Sequence, residues 1–233
     1  MIADRPFKPA EFTEKKLIES ILDGSYPIGT NLPSERTLAQ TLGVTRPTLR
    51  EVLQRLSKEG WVLIRHGKPT RVNDYLSQGG LGILRAMARY GHHLSDEMIS
   101  NLMGVRIALM PEIAVLAAEN DPLSMRVHLM QATRLQEDPG DFARFDWELQ
   151  LIMGNATGNP VFNMILNDFT PLYEKLGQYF YQTPEARQFS LAYYRDLDHL
   201  LAEDIPGIRQ RVRAAMEDAV SIWHDTIRKM EKP

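Results

Sequence analysis

Two arginines at the start of an amphipathic segment are the residues whose type and spacing could carry out recognition chemistry. Arg46 and Arg50 lie four positions apart in "TRPTLREVLQRL", so a helix would place both on one face. The opposite face would carry an apolar stripe of Leu49, Val52, Leu53 and Leu56. An arginine fork can bridge O6 and N7 of a guanine in the DNA major groove. The spacing therefore predicts a helix whose N-terminal end reads DNA bases.

Two further helices are predicted before these arginines. Apolar spacing indicates helices over Phe12–Leu22 and Glu35–Leu42. Ser34 can cap the second of these helices and Gly43 can end it. Arg36 begins the second helix, where its side chain could hold a base or the DNA backbone. Helix, turn and basic helix in this order are typical of a helix-turn-helix.

The third helix is expected to begin with an unusual cap. Thr45 is the capping residue, and Pro47 falls in the first turn, where a backbone donor is not required. Because Pro47 has no N–H, the Thr45 hydroxyl must accept a hydrogen bond from the N–H of Thr48. Both hydroxyls and the free N–H groups at this helix start suit phosphate oxygens. Gly60 lies just past the predicted end of the helix.

A β-hairpin is predicted directly after the third helix. Trp61–Arg65 is rich in aromatic and β-branched residues, and Pro69–Val72 returns as a short edge strand. The tip, formed by His66, Gly67 and Lys68, is small and basic. Such a tip could enter the minor groove, where glycine permits close approach. The whole N-terminal part therefore has the element order of a winged helix-turn-helix.

The distribution of charge supports a polyanionic partner for this part of the chain. Residues 1–78 hold 12 Lys and Arg against 9 Asp and Glu, and residues 36–71 hold 8 against 2. Residues 79–233 hold 15 against 21, so the net charge of −3 conceals a basic segment on an acidic body. By charge alone, a solvated surface explains the basic segment equally well.

Composition narrows the class of protein. The chain has 233 residues, 43% hydrophobic and 24% charged, as in soluble globular proteins. It contains no cysteine, which excludes disulfides and thiolate metal sites. The N-terminus has no apolar signal core and no uninterrupted apolar run approaches roughly 18 residues. We therefore expect a cytoplasmic protein without a membrane partner.

The remainder of the chain is expected to be entirely helical. Residues 72–82 ("VNDYLSQGGLG") resemble a connector, and about six or seven amphipathic helices follow, separated by Gly-Asn-Pro, Asp-Pro and Pro-Gly pairs. Pro111 is expected to end or kink its helix. The predicted fold class is mainly α: an N-terminal winged helix-turn-helix with a small β-hairpin, and a C-terminal helical bundle.

The stretch 29–72 resembles the DNA-binding domain of the GntR family of bacterial transcription regulators. Later stretches, including "NLMGVR", "GNPVFNMILNDF", "PEARQFSLAYY" and "SIWHD", resemble the branch of that family that controls fatty acid metabolism. The resemblance implies a homodimer with a DNA-binding domain at 1–73, a linker at 74–82 and an all-helical effector domain at 83–233. The implied effector is a long-chain fatty acyl-CoA, which releases the protein from a palindromic operator. The implied targets are fatty acid degradation genes, repressed, and unsaturated fatty acid synthesis genes, activated.

The same resemblance assigns DNA contacts and ligand contacts to particular residues. By position in the family motif, the residues implied to contact DNA are Arg36, Thr45, Arg46, Thr48, Arg50, His66, Gly67 and Lys68. Pro47 departs from a threonine found in a well-known member, which puts one polar contact and the operator preference in doubt. The residues implied to lie near the acyl-CoA are Arg106, Phe180, Tyr181, Arg213, Met216, Ala219 and Trp223.

The residue types alone allow two interpretations of each part of the proposed ligand site. Methionine suits a flexible acyl tail, but methionine and aromatic residues at helical spacing are also ordinary core residues. Arg106 stands among apolar neighbours in "NLMGVRIAL", so its charge should be paired or should meet a ligand anion. Arg213, with Arg209 and Arg211, could hold the nucleotide end, although a solvated helix face explains these residues as well.

Related regulators bind a metal through one Asp and three His residues. At the corresponding positions this chain carries Asp146, Gln150, His199 and, with an uncertain register, Glu217. Glutamine is a poor ligand for transition metals. We therefore predict no metal and no cofactor, and expect His199 to be buried and hydrogen-bonded.

Three other functions stay open from the sequence. A GntR regulator could respond to a small carboxylate instead of an acyl-CoA. A winged helix could serve protein contact alone, without DNA. An enzyme is disfavoured, because Asp146, Glu148 and His199 could act as acids or bases but no nucleophile motif or phosphate loop accompanies them.

Overall fold

A computed structural model describes residues 8–90 and 95–230, the last two of these as backbone only. The chain divides into two compact units, Met1–His93 and Leu94–Pro233. The first unit combines helices with a two-stranded sheet, and in its described residues the second unit is entirely helical. The fold class predicted from the sequence is confirmed.

The first unit contains five helices and two short strands within its described residues. They are α1 (Pro9–Leu22), α2 (Glu35–Leu42), α3 (Arg46–Glu59), β1 (Val62–Leu63), β2 (Arg71–Val72), α4 (Tyr75–Gln78) and α5 (Leu81–Tyr90). Helix α1 begins three residues earlier than predicted, because Pro9 occupies its first position, where a proline is favourable.

The helix caps of the helix-turn-helix form as predicted. The N–H of Thr37 donates to the Ser34 hydroxyl at 3.2 Å, and α2 ends at Gly43 in the left-handed conformation. At the start of α3, the N–H of Thr48 donates to the Thr45 hydroxyl at 3.3 Å. The proline in the first turn thus moves the cap bond to the third helical N–H.

The predicted apolar stripe of α3 forms the centre of the first unit. Its four members, Leu49, Val52, Leu53 and Leu56, are all buried. Helix α3 contacts both α1 and β1, and Leu17, Ile18, Trp61 and Val62 are buried as well. Burial of this stripe fixes the orientation of α3, so that the opposite face points to solvent.

The hairpin is shorter than predicted, and its return strand has a second neighbour. Val62 pairs with Val72 and Leu63 with Arg71 in antiparallel register. On its other side β2 meets residues 29–32: the N–H of Leu32 donates to the Thr70 carbonyl and the N–H of Val72 to the Thr30 carbonyl, both at 2.8 Å. Pairing of β2 on both sides fixes the base of the hairpin.

The segment that the sequence suggested as a linker is partly helical. Residues 74–82 contain α4 and the beginning of α5, and buried residues of α5 include Ile83, Met87 and Tyr90. The Tyr90 hydroxyl donates to the Glu14 carboxylate of α1 at 3.3 Å. By contacts the first unit therefore includes α4 and α5, and a functional boundary at residue 73 stays a prediction.

The second unit consists of six α-helices and a short 3₁₀ segment in its described residues. They are α6 (Asp96–Asn120), α7 (Pro122–Leu129), the 3₁₀ segment Met130–Arg134, α8 (Pro139–Ala156), α9 (Pro160–Phe180), α10 (Pro184–Glu203) and α11 (Ile205–Met230). Four of these helices have proline at the first position after an Asp, Asn or Thr cap. The Asp-Pro and Asn-Pro pairs thus begin helices.

Helix α6 continues through Pro111, so the expectation that this proline ends the helix is wrong, while a kink there stays a prediction. By length and composition alone it could also cross a membrane, with a mean hydropathy of 1.5 over 18 residues, although Arg106 and Glu112 interrupt its apolar runs. About 33% of this window is buried, and Ile113, Ala114 and Ala117 of the helix are fully buried in the helical core.

Candidate DNA-binding face and effector cavity

The N-terminal end of α3 presents its arginines to solvent. Arg46 and Arg50 are exposed, while Leu49 between them is fully buried. Arg36 at the start of α2 is exposed as well. The Thr45 and Thr48 hydroxyls lie 2.9 Å apart, so one polar edge borders the arginines. The structure therefore exposes Arg46 and Arg50 in the first turns of α3 and Arg36 at the start of α2.

Arg50 has a partner that the sequence analysis missed. Its Nε donates to Oε2 of Glu35 at 2.6 Å, which joins the recognition helix to the first residue of α2. The arginine side chain is still 67% exposed. In the described residues this bond uses Nε, so the two terminal nitrogens remain for a base or a phosphate.

The hairpin tip is a tight, exposed turn. The N–H of Lys68 donates to the Arg65 carbonyl at 3.1 Å, and Gly67 has a φ of 69°. His66, Gly67 and Lys68 are all exposed. The left-handed backbone at Gly67 explains the glycine, since any other residue would be strained there. The turn that the sequence predicted is confirmed, while its contact with DNA stays a prediction.

Besides Arg50, two further cations of the basic segment have internal partners. Arg55 contacts the Glu14 carboxylate at 2.9 Å. Arg71 donates through Nε to the Gly29 carbonyl at 2.6 Å. These two side chains hold the first unit together, so the count of basic residues overstates the charge that faces outward. Arg36, Arg46 and Lys68 carry the exposed charge of the predicted face.

The second unit contains an apolar cavity of about 100 Å³ between α6, α8, α9, α10 and α11. Six of the seven residues predicted to lie near a ligand line it: Arg106, Phe180, Tyr181, Met216, Ala219 and Trp223. Arg213 does not line the cavity, because its side chain is exposed on the other face of α11. Its proposed contact with the nucleotide end is therefore outside the cavity.

A buried carboxylate lies at one wall of this cavity. Asp146 of α8 accepts hydrogen bonds from the Tyr173 hydroxyl, from the Tyr194 hydroxyl at 3.0 Å and from Nε2 of Gln150 at 2.7 Å. The Arg106 guanidinium lies 3.8 Å from the same carboxylate and over the Tyr173 ring. The expectation that Arg106 is paired is confirmed, and the Asp146 network joins α6, α8, α9 and α10.

The electrostatics of the network follow from burial. Burial raises the pKa of Tyr173 and Tyr194 well above the ordinary value, and the Asp146 charge raises the pKa of both further. For Arg106, burial lowers the pKa, but Tyr173 and Asp146 more than offset this, so the pKa lies above its ordinary value. The tyrosines thus remain hydroxyl donors and the arginine remains a cation.

Three polar atoms at the cavity are buried without a hydrogen-bond partner among the described residues. They are Nε of Arg106, Oε1 of Gln150 and Nε1 of Trp223. Buried polar atoms in folded proteins are nearly always paired, because an unpaired one loses its hydration without compensation. Atoms of this kind on a cavity wall are available to a polar group of a ligand.

The four residues at the metal positions are not assembled into a metal site. In the described residues no group of three or more His, Cys, Asp or Glu side chains could hold a metal ion. His199 was expected to be buried, but its side chain is 69% exposed and lies 3.4 Å from Glu203 one turn later. Glu217 is exposed as well, whereas Asp146 and Gln150 are buried and bonded to each other.

Comparison with known proteins covers nearly the whole chain. Residues 9–72 match the profile of bacterial regulatory proteins of the gntR family, and residues 73–233 match that of the FadR C-terminal domain. The two profiles meet within the segment between β2 and α4. They therefore assign the recognition helix and the cavity to different domains of one regulator family.

Curated relatives agree with these profiles. A protein from Yersinia enterocolitica is 39% identical over 93% of this chain and 91% of its own length, and one from Escherichia coli O1:K1 is 38% identical with the same coverage. Both carry the name fatty acid metabolism regulator protein.

A solved structure shares the fold. It is the Listeria monocytogenes protein Lar, described as controlling the expression of the agr system and mediating virulence. It is 16% identical, covers 95% of this chain and 99% of its own, and has a TM-score of 0.63. By its profiles and its curated relatives, the chain belongs to the GntR family, with a FadR C-terminal domain, and is a transcriptional regulator of fatty acid metabolism.

Proposed function

We propose that the chain is a homodimeric repressor and activator that a long-chain fatty acyl-CoA releases from a palindromic operator. The observation that carries the proposal is an apolar cavity, with a largely enclosed arginine on its wall, in a regulator of fatty acid metabolism. Repressed targets would be genes of fatty acid degradation, and activated targets would be genes of unsaturated fatty acid synthesis.

DNA recognition is assigned to the exposed start of α3 and the hairpin tip. Arg46 and Arg50 read bases in the major groove, since both are exposed on the face opposite the buried stripe. Arg36, Thr45 and Thr48 position the helix against the backbone. The tip, His66, Gly67 and Lys68, enters the minor groove. Two copies related by a twofold axis would bind the two halves of a palindrome.

The acyl chain is assigned to the cavity of the second unit. Phe180, Tyr181, Met216, Ala219 and Trp223 provide its apolar wall. A volume of about 100 Å³ is small, because pockets for drug-sized ligands run to roughly 300–1,000 Å³. Lining side chains must therefore move when a long chain enters. The methionines suit this, since their side chains adapt to irregular space.

Entry of the chain would rearrange the Asp146 network. Arg106 lines the cavity and also faces Asp146. A chain that displaces the arginine therefore disturbs a carboxylate that accepts hydrogen bonds from its own helix and from α9 and α10. Arg213, exposed on α11, remains a proposed contact for the phosphates of the nucleotide. Nothing in this mechanism requires a metal or a catalytic step, and we propose that it operates in the cytoplasm without a membrane.

The test is displacement of DNA by defined ligands. The full chain is bound to labelled operator duplex and titrated with acyl-CoAs of increasing chain length, with free fatty acids and free CoA as controls. Release by long-chain acyl-CoA alone is the expected result. Release by a small carboxylate but not by any acyl-CoA would favour the alternative regulator. Affinity for duplex that does not fall as salt rises would contradict DNA binding itself.

A further inference from the structure

Two of the unpartnered polar atoms at the cavity lie around one carboxylate oxygen. The Gln150 amide donates through Nε2 to Oδ2 of Asp146 at 2.7 Å, and Nη2 of Arg106 lies 3.8 Å from the same oxygen. Each side chain therefore uses one end on Asp146 and retains a buried atom with no partner in the described residues: Oε1 of Gln150 and Nε of Arg106. One is an acceptor and the other a donor.

Both side chains also line the otherwise apolar cavity. Gln150 is only 3% exposed, so water outside the protein does not reach its amide freely. An unbranched hydrocarbon chain that fills this space would leave both atoms desolvated and unpaired, which opposes binding. An acyl chain with a polar group beside these two atoms would pair them and so remove the free-energy cost of leaving them unpaired.

The chemistry of the two atoms selects one kind of polar group. A hydroxyl both donates and accepts, so it can donate to Oε1 of Gln150 and accept from Nε of Arg106. A ketone only accepts and would leave Gln150 unpaired. A carboxylate only accepts and would be repelled by the Asp146 charge. The hydroxyl is therefore the group that satisfies both atoms without adding charge.

The position of Gln150 and Arg106 along the cavity indicates that the hydroxyl is carried by an interior carbon of the acyl chain. Ile99 and Trp223 lie together in one buried cluster of the second unit. Arg106 is seven positions after Ile99 on α6, which is about 10 Å along the helix. Ile99 and Arg106 both line the cavity, so a chain that extends along α6 from Ile99 meets the polar pair after about 10 Å, in its interior and not at its start.

We propose that the cavity recognises long-chain acyl groups that carry a hydroxyl in the interior of the chain, through Gln150 and Arg106. The proposal rests on the proposed function, since it names the acyl group that the same cavity takes. Gln150 is then a specificity-determining residue, and its amide is held in place by Asp146.

The test compares two ligands on the full chain by isothermal titration calorimetry: octadecanoyl-CoA and 10-hydroxyoctadecanoyl-CoA. The wild type should bind the hydroxylated ligand about tenfold more tightly, because that ligand pairs atoms that the plain chain leaves unpaired. Gln150→Leu should bring the two dissociation constants close together, mainly through tighter binding of the plain chain. Leu176→Met, at an apolar lining position, should shift both affinities by a similar factor and keep their ratio.

Equal binding of both ligands by the wild type, or an unchanged ratio in Gln150→Leu, would overturn the proposal. If Gln150→Leu does not fold, Gln150→Met tests the same loss of the acceptor, and Arg106→Lys tests loss of the Nε donor with the charge kept. Failure of the wild type to bind either acyl-CoA would instead reject the proposed effector class. The two failures are thus distinguishable.

Discussion

The two units of the chain place their charges in opposite ways. In the first unit, Arg36, Arg46 and Lys68 are exposed at the ends of elements whose other faces form the core. In the second unit, Asp146 is buried and Arg106 is largely enclosed, and tyrosines complete their environment. One unit presents charge to an external polyanion, and the other surrounds charge with its own polar groups.

This difference separates two kinds of recognition. An exposed arginine keeps its hydration until DNA arrives, so it costs the fold little and its partner can be large. A buried ion pair is stable only while every member is in place, because removing one leaves the other desolvated. The second unit is therefore the one in which a small ligand can change the balance of a whole bundle.

The comparison predicts that alkaline pH destabilises the second unit more than the first. Burial raises the pKa of Tyr75 and Tyr90 in the first unit as well, but more tyrosines are buried in the second. Burial raises the pKa of Tyr181, Tyr193 and Tyr194 in the second unit, so these groups stay protonated in the folded state above about pH 10 while the unfolded chain releases the protons. The unfolded state then binds fewer protons, so stability falls as pH rises. Each such tyrosine lowers the free energy of unfolding by about 1.4 kcal/mol per pH unit.

Urea unfolding followed by circular dichroism, at pH values from about 9 to about 11.5, measures this slope. Tyr193→Phe removes one titrating group and should flatten the slope by about 1.4 kcal/mol per pH unit. An identical slope in the variant would show that Tyr193 titrates alike in both states and would weaken the contrast between the units.

Loss of the buried carboxylate is the next largest expected effect. Asp146→Ala leaves the Arg106 cation without its anion and two tyrosine hydroxyls without their acceptor, so it should lower the free energy of unfolding of the second unit by about 3–5 kcal/mol. Denaturant unfolding measures the loss. The matched control is Asp196→Ala, which removes an exposed partner of Arg211 at 2.9 Å and should cost less than about 1 kcal/mol. Equal losses for the two variants would contradict the special role of burial.

Substitution of an exposed arginine should leave the fold intact and change DNA binding. Arg46→Ala should cost about 1–3 kcal/mol of specific affinity at each half-site, because a bidentate contact with guanine is lost. The melting temperature should stay near that of the wild type. Fluorescence anisotropy with operator and random duplex measures the change. Lys58→Ala, on the exposed far end of α3 about 18 Å away, is the control. A similar loss on both duplexes for Arg46→Ala would remove its role in base reading.

Most features of the first unit could be predicted from residues that are close together in the sequence. The α3 stripe, both helix caps and the turn at Gly67 depend on residues within four or five positions of each other, so periodicity and cap chemistry predicted them. Pairing of residues 29–32 with β2 joins segments about 40 residues apart, and no spacing in the sequence indicated it. The same holds for the Glu35–Arg50 bond, which needs the angle between two helices.

For the second unit, the burial predicted for His199 was wrong and could have been avoided, and the exposed position of Arg213 could have been predicted, whereas the Asp146 network could not. His199 falls out of phase with Tyr193, Leu197 and Leu201, the buried positions of α10, so helical periodicity was sufficient to place it outside. Arg213 is out of phase with the buried residues of α11 in the same way. The Asp146 network was beyond such reasoning, because Tyr194 reaches Asp146 across 48 positions of sequence.

The smallest expected effect concerns Glu35, an acidic residue that contacts the exposed face of the recognition helix. Glu35 holds Nε of Arg50 at 2.6 Å, which restrains the guanidinium while its terminal nitrogens face outward. Glu35→Gln keeps an acceptor and should change specific binding little. Glu35→Ala frees the arginine and should lower the ratio of specific to non-specific affinity by about 1.4- to fivefold, as for an exposed pair worth about 0.2–1 kcal/mol. Competition of operator against random duplex measures this ratio. If Glu35→Ala instead tightened operator binding more than random binding, the carboxylate would be a competitor for Arg50, and the exposed charges of the first unit would not all be arranged in advance for DNA.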